Sequence, residues 1–206
     1  MDRMKEHGPH TDGRVIRHAR LYDLLGTKMS GGRSTLLELA APAAGEAVLD
    51  VGCGTGTLAL AVAARPGPIR VSGIDAAREM IGLARRKAAK AGSNVDFQVG
   101  LIEDIPYPDG TFDLVTSSLV LHHLPADLKR AGIAEVRRVL KPGGRFAVMD
   151  FARESHSPLG HLFSVLGHGR GAAMAEPLVN MLAAAGFART EVVPTRNTNF
   201  IFIRAS

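Results

Sequence analysis

The chain has 206 residues, of which 46% are hydrophobic, with one cysteine and a formal net charge of +5. This size predicts one domain over residues 1–206 with a single core, and the lone Cys53 excludes an internal disulfide. The lack of an apolar run of about eighteen residues and of an apolar signal core excludes an integral membrane segment and predicts a cytoplasmic protein.

The excess of positive charge does not by itself indicate a nucleic acid partner. The basic residues are scattered, with Arg85–Lys87 and Arg137–Arg138 on expected outer helix faces, and aromatic residues amount to 5%. So few aromatic side chains cannot supply a row of stacking platforms, and we expect no nucleic acid to bind. We also expect no metal, because five histidines lack the spacing or cysteine partners of a zinc site: His7, His10, His156, His161 and His168.

The chain begins with residues of helical character and continues as alternating strands and helices. Arg14–Ala41 has apolar residues at helical spacing, with a break predicted at Met29–Gly32, and predicts a helical N-terminal cap over residues 1–41. The core follows over residues 42–206. The predicted strands are Ala47–Val51, Arg70–Ile74, Val95–Val99, Phe112–Ser117, Arg145–Phe151, Thr190–Val193 and Asn199–Arg204, and the predicted helices are Leu58–Ala64, Ala76–Ala91, Pro125–Leu140 and Ala175–Ala185.

This order of elements predicts an α/β fold. Strands that alternate with helices favour a mostly parallel sheet with helices on both faces, and a closing hairpin adds one antiparallel strand. In such a sheet the ligand binds beyond the carboxyl ends of the strands, so the residues that follow the strands are the first candidates for a site.

The stretch Val48–Thr57 carries the strongest local signal. Gly52, Gly54 and Gly56 alternate after an apolar strand, which predicts a tight turn whose backbone a ligand can approach closely. The dinucleotide fingerprint would place a small residue where the chain has Thr57. A turn without a ligand and an NAD(P) site are the alternatives at this point.

Asp75 narrows these alternatives. It follows the second predicted strand, nineteen positions after Gly56. A βαβ unit brings the tip of its second strand beside the glycine loop, where a carboxylate can accept hydrogen bonds from both hydroxyls of a ribose. Asp75 is therefore the most specific single candidate for a binding residue.

Further motifs follow in a fixed order. They are Asp50-x-Gly-x-Gly-x-Gly, the acid Asp75, the segment Asp104–Asp113 with its Pro-Tyr-Pro-Asp-Gly run, His122-His123-Leu124 and Leu140-Lys-Pro-Gly-Gly. Together, over Arg20–Phe151, they resemble the class I S-adenosylmethionine (SAM) dependent methyltransferases of the ubiquinone/menaquinone-biosynthesis type. The resemblance implies a Rossmann-like seven-stranded sheet in the order 3-2-1-4-5-7-6, with SAM as cofactor and S-adenosylhomocysteine (SAH) as its product.

The resemblance also implies a cofactor-binding role for particular residues of this chain. The methionyl part, the ribose and the adenine each have their own set, and one aromatic residue of the cap closes over the cofactor. The implied residues are Asp50, Gly52, Gly54, Thr55, Gly56, Ser118 and Leu119 for the methionyl part, Asp75 for the ribose, Ala76, Met80, Leu101, Ile102 and Glu103 for the adenine side, and Tyr22 for closure.

One position departs from the pattern of the relatives. They usually carry Asp-Ala or Asn-Ala after the glycine of the third strand, whereas this chain has Leu101-Ile102. Leu101 cannot hydrogen-bond the adenine amine, although the backbone contact at Ile102 is retained and Glu103 is a candidate replacement. We expect the loss of one such bond to weaken cofactor binding by about 1 kcal/mol.

Methyl transfer depends mostly on proximity and orientation, because SAM is already a strong methylating agent. A general base is needed only when the acceptor must lose a proton. His122, His123 and Asp150, at the ends of the fourth and fifth strands, are the candidates for that base. Packing or capping roles for the same three residues are the alternative.

Two specialised activities are disfavoured. The Asn-Pro-Pro-aromatic motif of relatives that methylate nucleobases is replaced by Ser118–Leu121, and the cysteines that arsenic-methylating relatives need are absent. The sequence predicts a SAM-dependent methyltransferase that acts by in-line displacement on a small, apolar or aromatic acceptor. An NAD(P)-binding oxidoreductase and a non-catalytic SAM-binding regulatory protein remain the alternatives.

The sequence says less about assembly and surfaces. We expect a monomer or a homodimer. Arg153–Glu176 has apolar residues at helical spacing beside basic ones, which leaves open both peripheral contact with lipid and a role as a wall of the acceptor pocket.

Overall fold

The structure is a computed structural model that describes residues 30–152, 171–195 and 199–206. Its strands and helices alternate along most of the chain. The strands are β1 (Ala47–Val51), β2 (Arg70–Asp75), β3 (Asp96–Val99), β4 (Phe112–Ser118), β5 (Leu140–Phe151), β6 (Thr190–Val192) and β7 (Phe200–Ala205). The helices are α1 (Ser30–Ala40), α2 (Thr57–Ala63), α3 (Arg78–Ala91), α4 (Ala126–Val139) and α5 (Gly171–Ala184), and a short 3₁₀ turn spans Leu121–His123.

The described strands form one sheet of seven in the order β3-β2-β1-β4-β5-β7-β6. β1 pairs in parallel with β2 and β4, β2 with β3, and β4 with β5. β7 runs antiparallel to both of its neighbours, β5 and β6. The predicted fold, a mostly parallel sheet with one antiparallel strand in this order, is confirmed.

Helices cover both faces of the sheet, as predicted. Apolar residues of α1, α2 and α3 pack on one face around fully buried Phe97 and Leu114. Apolar residues of α4 and α5 pack on the other face around Ile133 and Leu182. Because both faces are buried, β1 is apolar at consecutive positions rather than at alternate ones.

Three sequence predictions fall outside the described residues. They concern most of the N-terminal cap with Tyr22, most of the segment Arg153–Glu176, and the middle of the turn before β7. The division into one domain with a cap over residues 1–41 stays a prediction.

The predicted helix break at Met29–Gly32 is wrong from Ser30 onward, because α1 already includes Ser30 and both glycines after it. Gly32 is buried, and a Cβ there would lie 2.8 Å from Sδ of Met149 and 3.3 Å from the ring of Phe200. The missing side chain lets α1 lie directly on β5 and β7. This glycine therefore serves close packing instead of ending the helix.

The predicted start of β5 at Arg145 is also wrong. β5 begins at Leu140, which pairs with Phe112, and the next pair joins Leu114 to Arg145. The residues between form a bulge, and Lys141 Nζ bonds Oδ2 of Asp113 at 2.7 Å across it. α5 begins at Gly171 rather than at Ala175, and the other boundaries agree with prediction to within two residues.

Two glycines of α3 give a prediction on stability. Gly92 ends α3 with φ of 62°, whereas Gly82 lies inside the helix, and both have room for a methyl group. We expect Gly92→Ala to lower the free energy of unfolding by about 1 kcal/mol, because alanine is strained in the left-handed region, and Gly82→Ala to raise it by about 0.5 to 1 kcal/mol. Urea unfolding of the two variants checks this, and equal shifts of the same sign would contradict it.

Candidate functional site

The glycine loop, residues 52–56, joins the end of β1 to α2. Gly54 has φ of 53°, and a Cβ there would meet no atom within 4 Å, so this side of the loop faces open space. A Cβ on Gly52 would collide with Val120, and one on Gly56 would collide with the ring of Phe97. Gly52 and Gly56 thus also allow close contacts within the protein, and the cofactor-binding role of the three glycines stays a prediction.

Asp75 ends β2 and holds this loop in place. Its Oδ2 accepts a hydrogen bond from N–H of Gly54 at 2.8 Å, and its Oδ1 accepts one from N–H of Ala77 at 2.8 Å. Burial raises the pKa of Asp75, against the effect of these two N–H groups. Each carboxylate oxygen can accept a second bond, so Asp75 retains capacity for the two hydroxyls of a ribose.

Asp50 lies at the end of β1 and is only 2% exposed. Its Oδ1 accepts a hydrogen bond from the hydroxyl of Thr116, the residue opposite it on β4, at 2.8 Å. Burial raises the pKa of Asp50 to about 7, while the bond from Thr116 and the charge of Arg33 act against it. Asp50 is therefore a buried group beneath the loop, and the sequence prediction that it lines the cofactor stays untested.

The raised pKa of Asp50 predicts a pH-dependent stability. The pKa of Asp50 is 3.8 in the unfolded chain and about 7 in the folded chain, so the folded state holds the proton more tightly. This contribution is complete below about pH 4 and is lost as the pH rises through 7. We expect Asp50→Asn to raise the free energy of unfolding at pH 8 by on the order of 4 kcal/mol, with little change at pH 4.

Urea unfolding at several pH values, with exposed Asp127→Asn as the control, measures this effect. Parallel stability profiles for Asp50→Asn and the native chain between pH 4 and pH 8 would remove Asp50 as the titrating group. Asp127 lies in the first turn of α4 and is exposed, so its replacement controls for the removal of a carboxylate that is not buried.

Thr55 is held by a residue that sequence reasoning missed. Lys87, on α3, donates from Nζ to Oγ1 of Thr55 at 2.8 Å and lies 3.4 Å from Oγ1 of Thr57. Nothing in the local sequence around Lys87 marks it, because its partner is thirty-two positions away. The bond ties the glycine loop to α3, and the hydroxyl of Thr55 is engaged in it.

The residues predicted for the adenine side divide into exposed and buried ones. Ala76 and Leu101 are exposed, Leu101 by 41%, whereas Ile102 and Met80 are buried. Glu103 is half-buried. The backbone of β3 runs beside β2, with Val99 opposite Asp75, so this group lies next to the ribose candidate.

The turn after β4 lies against the glycine loop. Val120 contacts Gly52, and Leu119 has the left-handed φ of 61° that non-glycine residues rarely adopt. The N–H of Leu119 donates to the carbonyl of Met149 on β5 at 2.8 Å. The structure thus brings predicted residues Ser118 and Leu119 to the side of the loop, and backbone strain at such a place is typical of functional sites.

His122 and Asp150 form a bonded pair at the ends of β4 and β5. Nδ1 of His122 lies 2.6 Å from Oδ1 of Asp150, and the N–H of His122 donates to Oδ2 at 3.1 Å. The N–H of Phe151 also donates to Oδ1, at 2.8 Å. An ionised carboxylate only accepts, so a neutral imidazole in this pair carries its proton on Nδ1 and has Nε2 as the acceptor.

The three base candidates therefore have different positions. The side chain of Asp150 is 5% exposed and accepts three hydrogen bonds, so it lies behind His122, whose side chain keeps 18% exposure. The ring of His123 is centred 3.8 Å from that of His122 and is tilted by 45°. Desolvation of the packed part of the ring and the charge of His122 lower the pKa of His123.

Comparison with known proteins identifies the family. A protein-family profile described as a methyltransferase domain matches residues 48–144, which include the glycine loop, Asp75 and His122. A demethylmenaquinone methyltransferase of Thermus thermophilus is 37% identical over 149 residues, which cover 70% of this chain and 67% of that protein. The chain belongs to the class I SAM-dependent methyltransferases. A glycine loop of this kind serves both SAM and NAD(P), so the loop alone does not decide between them. Membership of this family favours SAM.

Other relatives agree. The UbiE ubiquinone/menaquinone biosynthesis C-methyltransferase of Geotalea daltonii is 36% identical over 119 residues, 56% of this chain and 50% of that protein. The chain thus spans half of one of these relatives and two thirds of the other. The crystal structure of a SAM-dependent methyltransferase from Aquifex aeolicus has a TM-score of 0.72 and 24% identity, covering 94% of this chain and 97% of that one, and it supports the fold.

The residues of the loop fit the cofactor of this family. Gly54 leaves open space at the carboxyl edge of the sheet, and Asp75 beside it retains acceptor capacity for a ribose. Cys53, inside the loop, is buried and its pKa is raised by burial, so it acts as a small filler.

Among residues 30–152, 171–195 and 199–206, no helix has the length and apolar character needed to cross a bilayer.

Proposed function

We propose that the chain transfers a methyl group from SAM to an aromatic acceptor that loses a proton during the reaction. The observation that carries this proposal is the bonded pair of His122 and Asp150 beside the glycine loop. A methyl acceptor that is already a free nucleophile needs no base, and a histidine oriented by a buried carboxylate would then have no chemical task there.

Cofactor binding is assigned to the loop and the strand tips. Gly54 would allow the methionyl part to approach the backbone, Asp75 would accept from the ribose hydroxyls, and Ile102 would offer its backbone N–H to the adenine. SAM supplies an electrophilic methyl group on its sulfonium. The protein contributes orientation, since holding the two reactants in line accounts for most of the rate of such a transfer.

The base is assigned to His122. Asp150 fixes the proton on Nδ1 of His122 and keeps the ring in one orientation, as the 2.6 Å bond between them supports. Nε2 then accepts the proton that the acceptor releases, and the carboxylate of Asp150 stabilises the imidazolium that forms. This division of roles follows the logic of a histidine oriented by a buried carboxylate.

The acceptor class is proposed from the surroundings and from the relatives. The ring of Phe151 lies 4.8 Å from that of His122, edge to face, and 5.5 Å from that of Phe200. These aromatic rings suit a flat apolar acceptor. The Thermus relative is named for demethylmenaquinone, so a hydroquinone, whose hydroxyl is acidic and whose ring carbon takes the methyl group, is the acceptor we propose.

Arsenite is a poor alternative, although a relative from Halobacterium salinarum is named an arsenite methyltransferase. The single cysteine, Cys53, is buried in the glycine loop, whereas methylation of arsenic depends on accessible thiols.

The test is direct. Purified chain is incubated with SAM carrying a labelled methyl group and with reduced and oxidised quinones of differing tail length, and the products are analysed by mass spectrometry. We expect a labelled product one methyl group heavier and SAH in equal amount, from the reduced quinones only. Binding of SAM without methylation of any reduced quinone or phenol would favour a regulatory protein, and binding of NAD but not SAM would favour an oxidoreductase.

A further inference from the structure

The loop after β3, residues 100–111, is bound by one arginine of α4. Arg138, near the end of α4, donates from Nη2 to the carbonyl of Ile105 at 3.0 Å and from Nη1 to the carbonyl of Tyr107 at 2.9 Å. Nη1 also donates to Oδ1 of Asp109 at 2.8 Å. A guanidinium is a rigid fork of five donors, so these bonds fix both the position and the orientation of the backbone.

Glu135, one turn earlier in α4, binds the same loop, and we call Glu135 and Arg138 together the clamp. Its Oε2 accepts a hydrogen bond from the N–H of Ile105 at 3.0 Å, so both backbone groups of Ile105 are bound. Glu135 and Arg138 are joined by two bonds of 2.7 Å, and the bond from Arg138 lowers the pKa of Glu135. The pair is half-buried, which shields it from competition by water.

A second contact lies one turn further back on α4. A Cβ on Gly132 would lie 2.7 Å from Cγ1 of Ile102, which is 7% exposed. Gly132, Glu135 and Arg138 follow one another at intervals of three residues and so share one face of the helix. That face supports the loop at Ile102 and again at Ile105.

The opposite side of the same loop borders the candidate cofactor site. The N–H of Gly100 donates to the carbonyl of Asp75 at 3.1 Å, so the loop begins beside the ribose candidate. Leu101 and Asp104 pair across a tight turn that carries Ile102. Since Leu101 has no polar side chain, recognition of a base at this point is left to the backbone of the turn and to the candidate Glu103, and both depend on where that backbone lies.

We propose that Arg138 and Glu135 are positioning residues that set the backbone of Leu101–Ile105 for recognition of the adenine of the cofactor. This inference rests on the proposed function. The backbone N–H of Ile102 would donate to N1 of a bound adenine, which is an acceptor, whereas N1 of hypoxanthine carries a hydrogen and would repel that donor. The clamp therefore sets how well the chain distinguishes the two bases.

The test compares binding of SAH with binding of S-inosylhomocysteine by isothermal titration. We expect the native chain to prefer SAH. Arg138→Met should weaken SAH at least fivefold and should bring the ratio of the two dissociation constants toward one. Glu135→Gln, which keeps an acceptor for Ile105, should change both quantities less, and Arg130→Met, an exposed arginine on the same helix, should change neither.

The ratio separates positioning from stability. A role in stability alone lowers the melting temperature of Arg138→Met and leaves the preference for adenine as in the native chain, and that result would overturn the inference. If Arg138→Met does not fold, Arg138→Lys, which keeps the charge and loses the fork, carries the same expectation. Failure of the native chain to bind SAH would instead overturn the proposed function and this inference with it.

Discussion

Asp75→Ala is expected to weaken the binding of SAM and SAH at least tenfold. The variant loses the carboxylate that is assigned to the two ribose hydroxyls, and hydrogen bonds to a charged acceptor are worth about 1.5 to 3 kcal/mol each. It also releases the N–H groups of Gly54 and Ala77, each 2.8 Å from a carboxylate oxygen, so the glycine loop loses its support. Isothermal titration with SAH measures the change.

Two further variants separate binding from folding. Asp75→Asn loses the charge and keeps one of the two acceptor oxygens, so it should weaken SAH and lower the melting temperature less than Asp75→Ala does. Asp127→Ala removes an exposed carboxylate from α4 and should leave affinity unchanged. If Asp75→Ala binds SAH with native affinity, Asp75 is not part of the cofactor site.

The order of strands could be predicted because it follows from local signals and general rules. Gly92 and Pro125 mark a helix end and a helix start, and the structure has them as the C-terminal and N-terminal caps of α3 and α4. Alternation of strands and helices then leaves few topologies. An error occurred where glycine meant contact: Gly32 was taken as part of a break, and the structure places it within α1, where a side chain would collide with Met149.

The residues of the candidate site could be named from the sequence, but their directions could not. Asp50 and Asp75 each end a strand, yet Asp50 is buried against Thr116 while Asp75 borders Gly54. Whether a carboxylate near the end of a strand is buried or borders the glycine loop depends on residues packed from other elements. That information is absent from the spacing of the motif.

Contacts between distant residues account for the rest. Lys87 reaches Thr55, and Arg138 reaches Ile105, over more than thirty positions in each case. Both basic residues belong to short basic runs that resemble an ordinary solvated helix face in the sequence. Only the fold shows that one member of each run points toward a loop of the candidate site.

His122→Gln is expected to lower the turnover number for a hydroquinone acceptor by a factor of about 10² to 10⁴, the usual contribution of a positioned general base. Glutamine keeps a polar side chain of similar reach and cannot take up a proton at neutral pH. SAH affinity should stay within about twofold of the native value, because His122 is assigned to the acceptor and not to the cofactor. Single-turnover kinetics with a saturating cofactor measure the loss.

Asp150→Asn tests whether the carboxylate of Asp150 orients His122. The amide can donate as well as accept, so it permits the ring proton of His122 to move from Nδ1 to Nε2, where it blocks the base. We therefore expect a large loss in turnover with little change in affinity for the acceptor, and the loss should not add to that of His122→Gln in the double variant.

His123→Gln should lower turnover less than either variant, since the described structure gives its ring a contact with the ring of His122 and no bond to Asp150. A larger loss for His123→Gln than for His122→Gln would transfer the base to His123, and full activity in both variants would mean that the acceptor arrives already ionised.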